Sequence, residues 1–506
     1  MTEAPVVEIL RTAIAATGEQ VEAVRETHVS WVALTERHAY KLKKPVSLDF
    51  VDQTTPDLRR ALCEDELSVN ADLAGDVVLR VEPITGRAGA ERLGGNGPAL
   101  DWVVVMRRFD EHKTMAGRLA DGTLTADHVV ATARRLRAFH DAAARPACED
   151  PDTDLAAAWD RNAAALATLA PRPARVEALR RAGAAFISRR RSTILARAEA
   201  GAIVDGDGDL RAEHVLLEDD GVVRVVDRLE FDPRLRRVDV GDDLAFLLMD
   251  LERLGHPDVA AGLIAAYRAD GGDPGDDELV AGFARYRAEV RAKVAFERAA
   301  GTESASAQTR ARAEADALLG LAERLAWRAR GRIVLCVCGP PASGKSTLAT
   351  ALGERLGAPV LSSDRVRRAL GAPDYSPAGR GAVYAELGRR AAALAPRGVI
   401  VDATFGDPLL ADAFRDAAGL ADARLVWVEC VAPLDVRLAR ATRRAAAGDS
   451  DSDADAEVAE RLAGTHSSCA AAGEPSLEVD TRDDLEDQQD SVLARLDQNS
   501  PAGCSS

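Results

Sequence analysis

Gly339-Pro340-Pro341-Ala342-Ser343-Gly344-Lys345-Ser346-Thr347 stands directly behind the apolar run Ile333-Val334-Leu335-Cys336-Val337-Cys338 and ahead of Leu348 and Ala349. The spacing is GxxxxGK(S/T), set between a buried strand and the start of a helix, the context in which this pattern holds phosphate. Gly339 and Gly344 can take backbone angles that other residues avoid, so successive N–H groups turn inward on a polyphosphate. Lys345 then reaches the β- and γ-phosphates, and the Ser346 hydroxyl holds Mg2+. The stretch predicts a nucleoside triphosphate site on the first strand of an α/β domain.

A chain of 506 residues exceeds one ordinary domain, so two or three are expected, each burying its own core. Hydrophobic residues at 47% and charged residues at 29% describe a globular protein. The formal charge of −17 argues against a partner that needs a broad basic face, such as nonspecific nucleic acid or a membrane surface, although a local basic groove is compatible with it. No apolar stretch is long enough to span a bilayer, and Met1-Thr2-Glu3-Ala4-Pro5 lacks the basic start and apolar core of a signal peptide. A cytoplasmic protein is expected. The seven cysteines are scattered, which fits reduced thiols; Cys336 and Cys338 alternate along their strand and read as small core residues.

From the amino terminus, Val6 to Val24 has apolar residues at helical spacing. Two strands follow, His28 to Thr35 and Ala39 to Pro45, then a helix from about Asp57 to Leu73 that contains Glu64, Asp65 and Glu66. Val77–Pro83 and Asp101–Phe109 read as strands with a glycine-rich hairpin between them, and from Thr125 the pattern is mostly helical. A strand-rich start before a helical body suggests a two-lobed α+β unit.

One segment breaks that helical body. Asp205-Gly206-Asp207-Gly208-Asp209-Leu210-Arg211-Ala212-Glu213-His214 leads into Val215-Leu216-Leu217, an acidic turn, and Val222 to Asp227. A loop, a short strand, a turn and a second strand can bring Asp209 and Asp227 to one site. Phosphoryl transfer needs such a pair, one carboxylate to deprotonate a hydroxyl and one to hold Mg2+. The alternative is an acidic surface hairpin, or a loose calcium loop that lacks the twelfth-position glutamate of an EF-hand.

Residues from about 28 to 298 resemble the aminoglycoside phosphotransferase and protein-kinase-like family, whose catalytic loop reads HGDxxxxN and whose metal aspartate follows on the next strand. Gly208-Asp209-Leu210 matches the core of that loop, which implies the catalytic-base role for Asp209, and Asp227 matches the metal aspartate. Asp239 and Asp243 resemble the family's supporting aspartates. Lys41 resembles the strand lysine that pairs with α/β-phosphates, and Glu66 its helical ion-pair partner; Lys43 shares the Lys41 strand face, which leaves the choice of lysine open. The pattern departs at two positions. Asp207 replaces the loop histidine, and His214 replaces the asparagine that holds a second metal, offering a softer nitrogen ligand there.

Arg285 to Arg330 is rich in Ala, Arg and Glu and reads as closing helices and a connector. After the phosphate-loop helix, Pro359-Val360-Leu361-Ser362-Ser363-Asp364 and Gly398-Val399-Ile400-Val401-Asp402 are strands ending in carboxylates, and Ala423 to Val431 is a fourth strand. Alternation with helices implies a parallel sheet with its site at the strand C-terminal ends, where Asp364 and Asp402 would sit; either could instead cap the helix that follows. Pro433 to Arg444 puts Arg437, Arg440 and Arg444 on one helix face, either a lid that neutralises a transferring phosphoryl group or a solvated face. Gly448 to Asp455 reads as an acidic turn.

Residues 331 to 487 resemble the small P-loop kinases grouped with polynucleotide 5′-hydroxyl kinases, zeta-type toxins and gluconate-type kinases. That resemblance implies Asp364 as base for an acceptor hydroxyl and Arg440 and Arg444 as lid contacts to ATP. The whole order resembles bacterial fusions of an aminoglycoside phosphotransferase-like domain with an ATP-binding kinase domain. It implies four segments: a kinase-like domain over 1–298, a helical connector over 299–330, a P-loop kinase domain over 331–487 and a disordered tail over 488–506. The expected protein is an ATP- and Mg2+-dependent phosphotransferase acting on a small-molecule hydroxyl. The alternative is a nucleotide-dependent regulator whose amino-terminal half binds without catalysing.

Overall fold

The computed structural model describes residues 3–27, 29–48, 51–302, 304–371, 376–419, 423–447 and 476–497. They fall into two compact units, residues 1–149 with 196–275 and residues 150–195 with 276–506.

In the first unit an antiparallel sheet runs in the order Ala23–Glu26, Ser30–Leu34, His38–Lys43, Ala99–Arg107, Val78–Thr85, Arg92–Leu93. The helix expected over 6–24 ends at Ala15; the chain turns through Gly18 at φ +86° and enters the first strand instead. Side-chain alternation then sorts the sheet into two faces. Tyr40, Leu42, Val103 and Val105 pack against Leu10 and Ile14 of the amino-terminal helix. Val104, the register partner of Lys41, faces the other way, toward Cys63 of helix Pro56–Ala74. That helix starts on a Thr55 cap with Pro56 behind it and buries Cys63, Glu66 and Asn70 along one stripe. Lys41 and Lys43 therefore share a face with Glu66.

The second unit holds five parallel strands in the order Val360–Ser362, Val399–Asp402, Ile333–Cys338, Arg424–Val431, Ser476–Asp480. All six residues of the central strand are buried. Ile333, Leu335 and Val337 pack on one layer with helices Lys345–Leu356 and Leu485–Arg495, while Val334, Cys336 and Cys338 pack on the other with Pro377–Leu394 and Pro408–Ala418. A strand apolar at every position is what a doubly covered parallel sheet requires. The chain leaves the central strand toward one edge and later returns to the other, which opens a crevice at its C-terminal end, where Gly339 begins.

Three sequence boundaries change. The helical connector expected over 299–330 is largely helix Ala305–Arg328, whose Ala311, Ala315, Leu318, Leu319, Ala322 and Leu325 form a buried stripe. Its Glu323 accepts from Arg355 of the phosphate-loop helix at 2.6 Å, so it belongs to the second unit, as do Pro151–Leu169 and Asp277–Gly301, which the sequence assigns to the first. The tail expected from Gln488 is also ordered in part: helix Leu485–Arg495 seats Val492, Leu493 and Leu496 in the sheet core. The acidic turn at 448–455 and residues 498–506 lie outside the described residues.

Candidate functional site

The central strand delivers the chain into a tight turn closed by a Ser343 N–H donating to Pro340 O at 3.1 Å. Two glycines make that turn possible. A Cβ on Gly339, at φ +143°, would lie 2.6 Å from Cys430 O and 2.7 Å from Ser343 Oγ. Gly344, at φ +97°, is the cap of helix Lys345–Leu356, and a Cβ there would lie 3.0 Å from Thr481 Cβ. Ala342 is also left-handed, at φ +61°. The first amides of the helix have no intrahelical acceptor and carry the positive end of its dipole. Ser343 is fully buried, yet its hydroxyl has no partner among the described residues.

Asp402 ends the strand beside the loop strand and pairs in register with Val337 and Ser362. The Ser346 hydroxyl donates to its carboxylate, while Oδ1 is buried without a partner among the described residues. Burial pushes the Asp402 carboxyl above its ordinary range; Lys345 and the Ser346 bond pull the other way, and the nearby Asp364 adds to the rise. Asp364 sits half-buried in the first turn of helix Ser363–Ala369, directly after its strand. Lys345, Ser346, Asp364 and Asp402 thus meet at one sheet edge. A serine hydroxyl and a carboxylate with an unused oxygen are hard donors that fit Mg2+.

Of the arginine face, Arg440 is tied down. Its Nη1 donates to Thr481 Oγ1 at 2.9 Å and its Nη2 to Thr481 O at 2.7 Å. Arg437 is buried, with Nε and Nη1 unpartnered among the described residues. Arg444 lies in the same helix, Leu434–Ala447, and its side chain is outside the described residues. No motif in the sequence marks Thr481. Its strand, Ser476–Asp480, is short and alternates buried with exposed positions at a sheet edge, a weak signal beside the apolar central strand.

The first unit assembles an ion cluster from its shared strand and helix face. Lys41 Nζ donates to Glu66 Oε1 at 2.9 Å and Asp227 Oδ1 at 2.8 Å; Lys43 Nζ donates to Glu66 Oε2 at 2.7 Å and Glu230 Oε1 at 2.6 Å. Burial opposes the Lys41 charge, but Asp227, Glu66 and Glu230 outweigh it and hold its pKa well above the ordinary lysine value. Lys41 in turn holds Asp227 far below the carboxylate range. Asp227 takes the left-handed backbone at φ +62°. A non-glycine residue held there is a mark of a built site. The Lys43 side chain is 2% exposed and the Asp227 side chain 48% exposed, so of the two lysines Lys41 stands at the open edge. Nothing in the spacing of Glu230 distinguishes it from a surface acid in the sequence.

The loop before it hangs on Asp243. That buried carboxylate accepts from Asp207 N at 2.8 Å and Gly208 N at 2.9 Å, and lies 3.1 Å from His140 Nε2. Asp207 occupies the histidine position fully buried, with Oδ2 unpartnered among the described residues; burial and the neighbouring Asp243 hold its carboxyl well above the ordinary range. Asp209 is engaged by Arg211 Nε at 3.0 Å. His214 differs from its expected role as metal ligand. Arg211 Nη2 stands 2.7 Å from its Nε2, and an arginine can only donate, so the lone pair a metal needs is occupied. Its Nδ1 then donates to Asp209 O at 3.1 Å, and burial beside Arg211 keeps the ring pKa low.

A family model described as an AAA domain matches residues 334–468. The Mycobacterium tuberculosis protein Rv2004c is 36% identical over 470 residues, covering 88% of this chain and 90% of that protein, and Mb2027c of Mycobacterium bovis matches with the same figures. Among solved structures, a gluconokinase from Sinorhizobium meliloti is similar at 21% identity and a TM-score of 0.27, over 34% of this chain and 95% of that one. The GDP complex of an aminoglycoside 2′-phosphotransferase-IIIa variant is similar at 12% identity and a TM-score of 0.37, over 63% of this chain and 97% of that one.

Proposed function

The chain belongs to the family of the mycobacterial protein Rv2004c and joins a kinase-like unit to a P-loop kinase domain, and on that footing we propose that it transfers the γ-phosphate of ATP to the hydroxyl of a small-molecule acceptor. The observation that carries this reading is the convergence of Lys345, Ser346, Asp364 and Asp402 at the end of the phosphate-loop strand. The N–H groups from Gly344 to Thr347 bind the triphosphate, and Lys345 sits against its β- and γ-phosphates. Ser346 and Asp402 would hold Mg2+, which when bound would supply positive charge to the triphosphate. Asp364 takes the proton from the acceptor hydroxyl as its oxygen bonds to the γ-phosphorus and ADP leaves.

The test is ADP release over a panel of hydroxyl acceptors, with Asp364→Asn beside the wild type. Acceptor-dependent release lost in the variant, with Mg·ATP binding retained, is the expected outcome. Release equal with and without every acceptor would remove the kinase reading, and transfer retained in the variant would remove Asp364 as base.

For the first unit, a non-catalytic nucleotide-binding role is favoured by the engagement of both Asp209 and His214 with Arg211. Lys41, Glu66 and Asp227 are the residues it would present to nucleotide. Calorimetric titration of Mg·ATP into the full chain and into Lys345→Ala counts the sites: two falling to one supports nucleotide binding by the first unit, and one falling to none opposes it. Among the described residues no helix is long and apolar enough to cross a membrane.

A further inference from the structure

Thr481 follows the edge strand Ser476–Asp480 and is 5% exposed. Its N–H donates to Val431 O at 3.0 Å, carrying the parallel ladder one residue past the strand. The side chain is thereby set against the phosphate loop. Its hydroxyl donates to Ser343 O at 2.5 Å, and its Cβ lies 3.0 Å from where a Gly344 Cβ would stand. Arg440 holds the arrangement from helix Leu434–Ala447, donating through Nη1 to Thr481 Oγ1 at 2.9 Å and to Ser343 O at 3.4 Å, and through Nη2 to Thr481 O at 2.7 Å. Gln488 braces the following turn, with Nε2 donating to Asp483 O at 2.8 Å and reaching Thr481 O at 3.4 Å.

The consequence lies in one peptide plane. The amide joining Ser343 to Gly344 is trans and planar, so its C=O and N–H point to opposite sides. With the carbonyl fixed on Thr481, the Gly344 N–H is fixed away from the Thr481 hydroxyl. A loop with two glycines and a left-handed alanine has other orientations open to this peptide, and each would have to be given up when nucleotide binds. We infer that Thr481, held by Arg440, is a positioning residue that presets the Ser343–Gly344 peptide so that the Gly344 N–H already faces a phosphate oxygen before nucleotide arrives. Arg440 on this account acts through the loop rather than by touching ATP. The inference rests on the nucleotide reading of that loop.

The test titrates Mg·ATP and, separately, Mg·tripolyphosphate calorimetrically into the full chain and into Lys345→Ala, Thr481→Val and Thr481→Ser. Valine keeps the shape and removes the hydroxyl; serine keeps the hydroxyl. The Lys345-dependent site is expected to weaken about tenfold in Thr481→Val, by the same factor for both ligands, and to stay within about threefold in Thr481→Ser. Arg440→Gln alone is expected to lower affinity, and to add little when combined with Thr481→Val, because both act on one peptide. Rescue by serine and equal loss for a ligand with no base separate positioning from a general loss of structure. The clamp is overturned if Thr481→Val binds as the wild type does, if serine loses as much as valine, or if the loss is confined to ATP, which would place Thr481 at the base. A wild type with no Lys345-dependent site for either ligand is a different failure: it removes the nucleotide reading, and the clamp with it.

Discussion

Replacing Lys43 with methionine isolates the energetics of the first unit. The ammonium group is 2% exposed and makes two hydrogen bonds, to Glu66 and Glu230, whose side chains are 2% and 8% exposed. Methionine fills similar volume, so the main effect is electrostatic. Two lysines face three carboxylates in the wild type; the variant leaves one lysine facing the same three. Breaking a buried pair by removing one partner costs about 3–5 kcal/mol, because the remaining charge has lost its compensation. At 3 kcal/mol the opening of this lobe becomes on the order of a hundredfold more populated. Hydrogen exchange by mass spectrometry reads it locally, in peptides spanning 38–43 and 56–74. The pH dependence has a definite sign. Burial raises and the two lysines lower the Glu66 pKa, with the lowering dominant, so its contribution to stability is present above the unfolded glutamate value and is lost as pH falls through the lowered folded one. A carboxylate that has lost its cation can escape the penalty by taking up a proton, so the difference between variant and wild type shrinks from pH 7.5 to pH 5. Adding Glu230→Met, which replaces the whole pair by apolar groups, is expected to recover part of the protection. Exchange within threefold of wild type, or an effect equal at both pH values, would refute the reasoning.

Two further perturbations test the second unit. Asp402→Asn is expected to raise the melting temperature measured in EDTA at pH 7 and, in a separate titration with Mg2+ present, to remove Mg·ATP binding. Burial raises the folded pKa of Asp402 above its unfolded value, so the wild type loses stability as pH rises through that window and the variant does not. The gain therefore shrinks toward pH 4, and a lower melting temperature at pH 7 would contradict it. Truncation after Asp487 strips Val492, Leu493 and Leu496 from the sheet core, at about 1.5–3 kcal/mol for each side chain. A large fall in the thermal transition by circular dichroism is expected; a truncated chain that melts with the full one would mean the helix adds nothing.

The phosphate loop was legible because strand, turn and helix each leave a local mark: six apolar residues, two glycines at fixed spacing, and Lys345 at the helix start. Asp364 and Asp402 were legible for the same reason, each closing an apolar run. The kinase-like pair Lys41 and Glu66 could be named by resemblance, but alternation puts Lys43 on the same face, and only burial separates the two lysines. What the sequence hid is long-range. Thr481 reaches Ser343 across 138 positions, and Glu230 reaches Lys43 across 187, with no motif spanning either gap. The fifth strand is hard to read because five alternating residues at a sheet edge leave a weak pattern, and the last helix because a polar helix that buries only one side looks like a tail. The domain boundary moved because Ala-rich helices at 277–328 bury small side chains on one face, a stripe that composition cannot tell from a connector.

The two carboxylates proposed for metal are prepared in opposite ways. Asp227 is half exposed and already neutralised, since Lys41 sits 2.8 Å from it and drives its pKa down. A cation arriving there must displace or share that lysine, so the gain in charge compensation is small. Asp402 is buried with one oxygen unused, and its charge is resisted by burial and by Asp364. A divalent cation arriving there removes a standing penalty and satisfies an orphaned acceptor at once. With Coulomb energies between close charges far larger inside a protein than in water, this difference favours the Ser346 and Asp402 edge as the place where metal and triphosphate bind together. The same preparation explains why Asp402 is expected to weaken the metal-free fold: a carboxylate held ready for a cation is unstable until the cation comes.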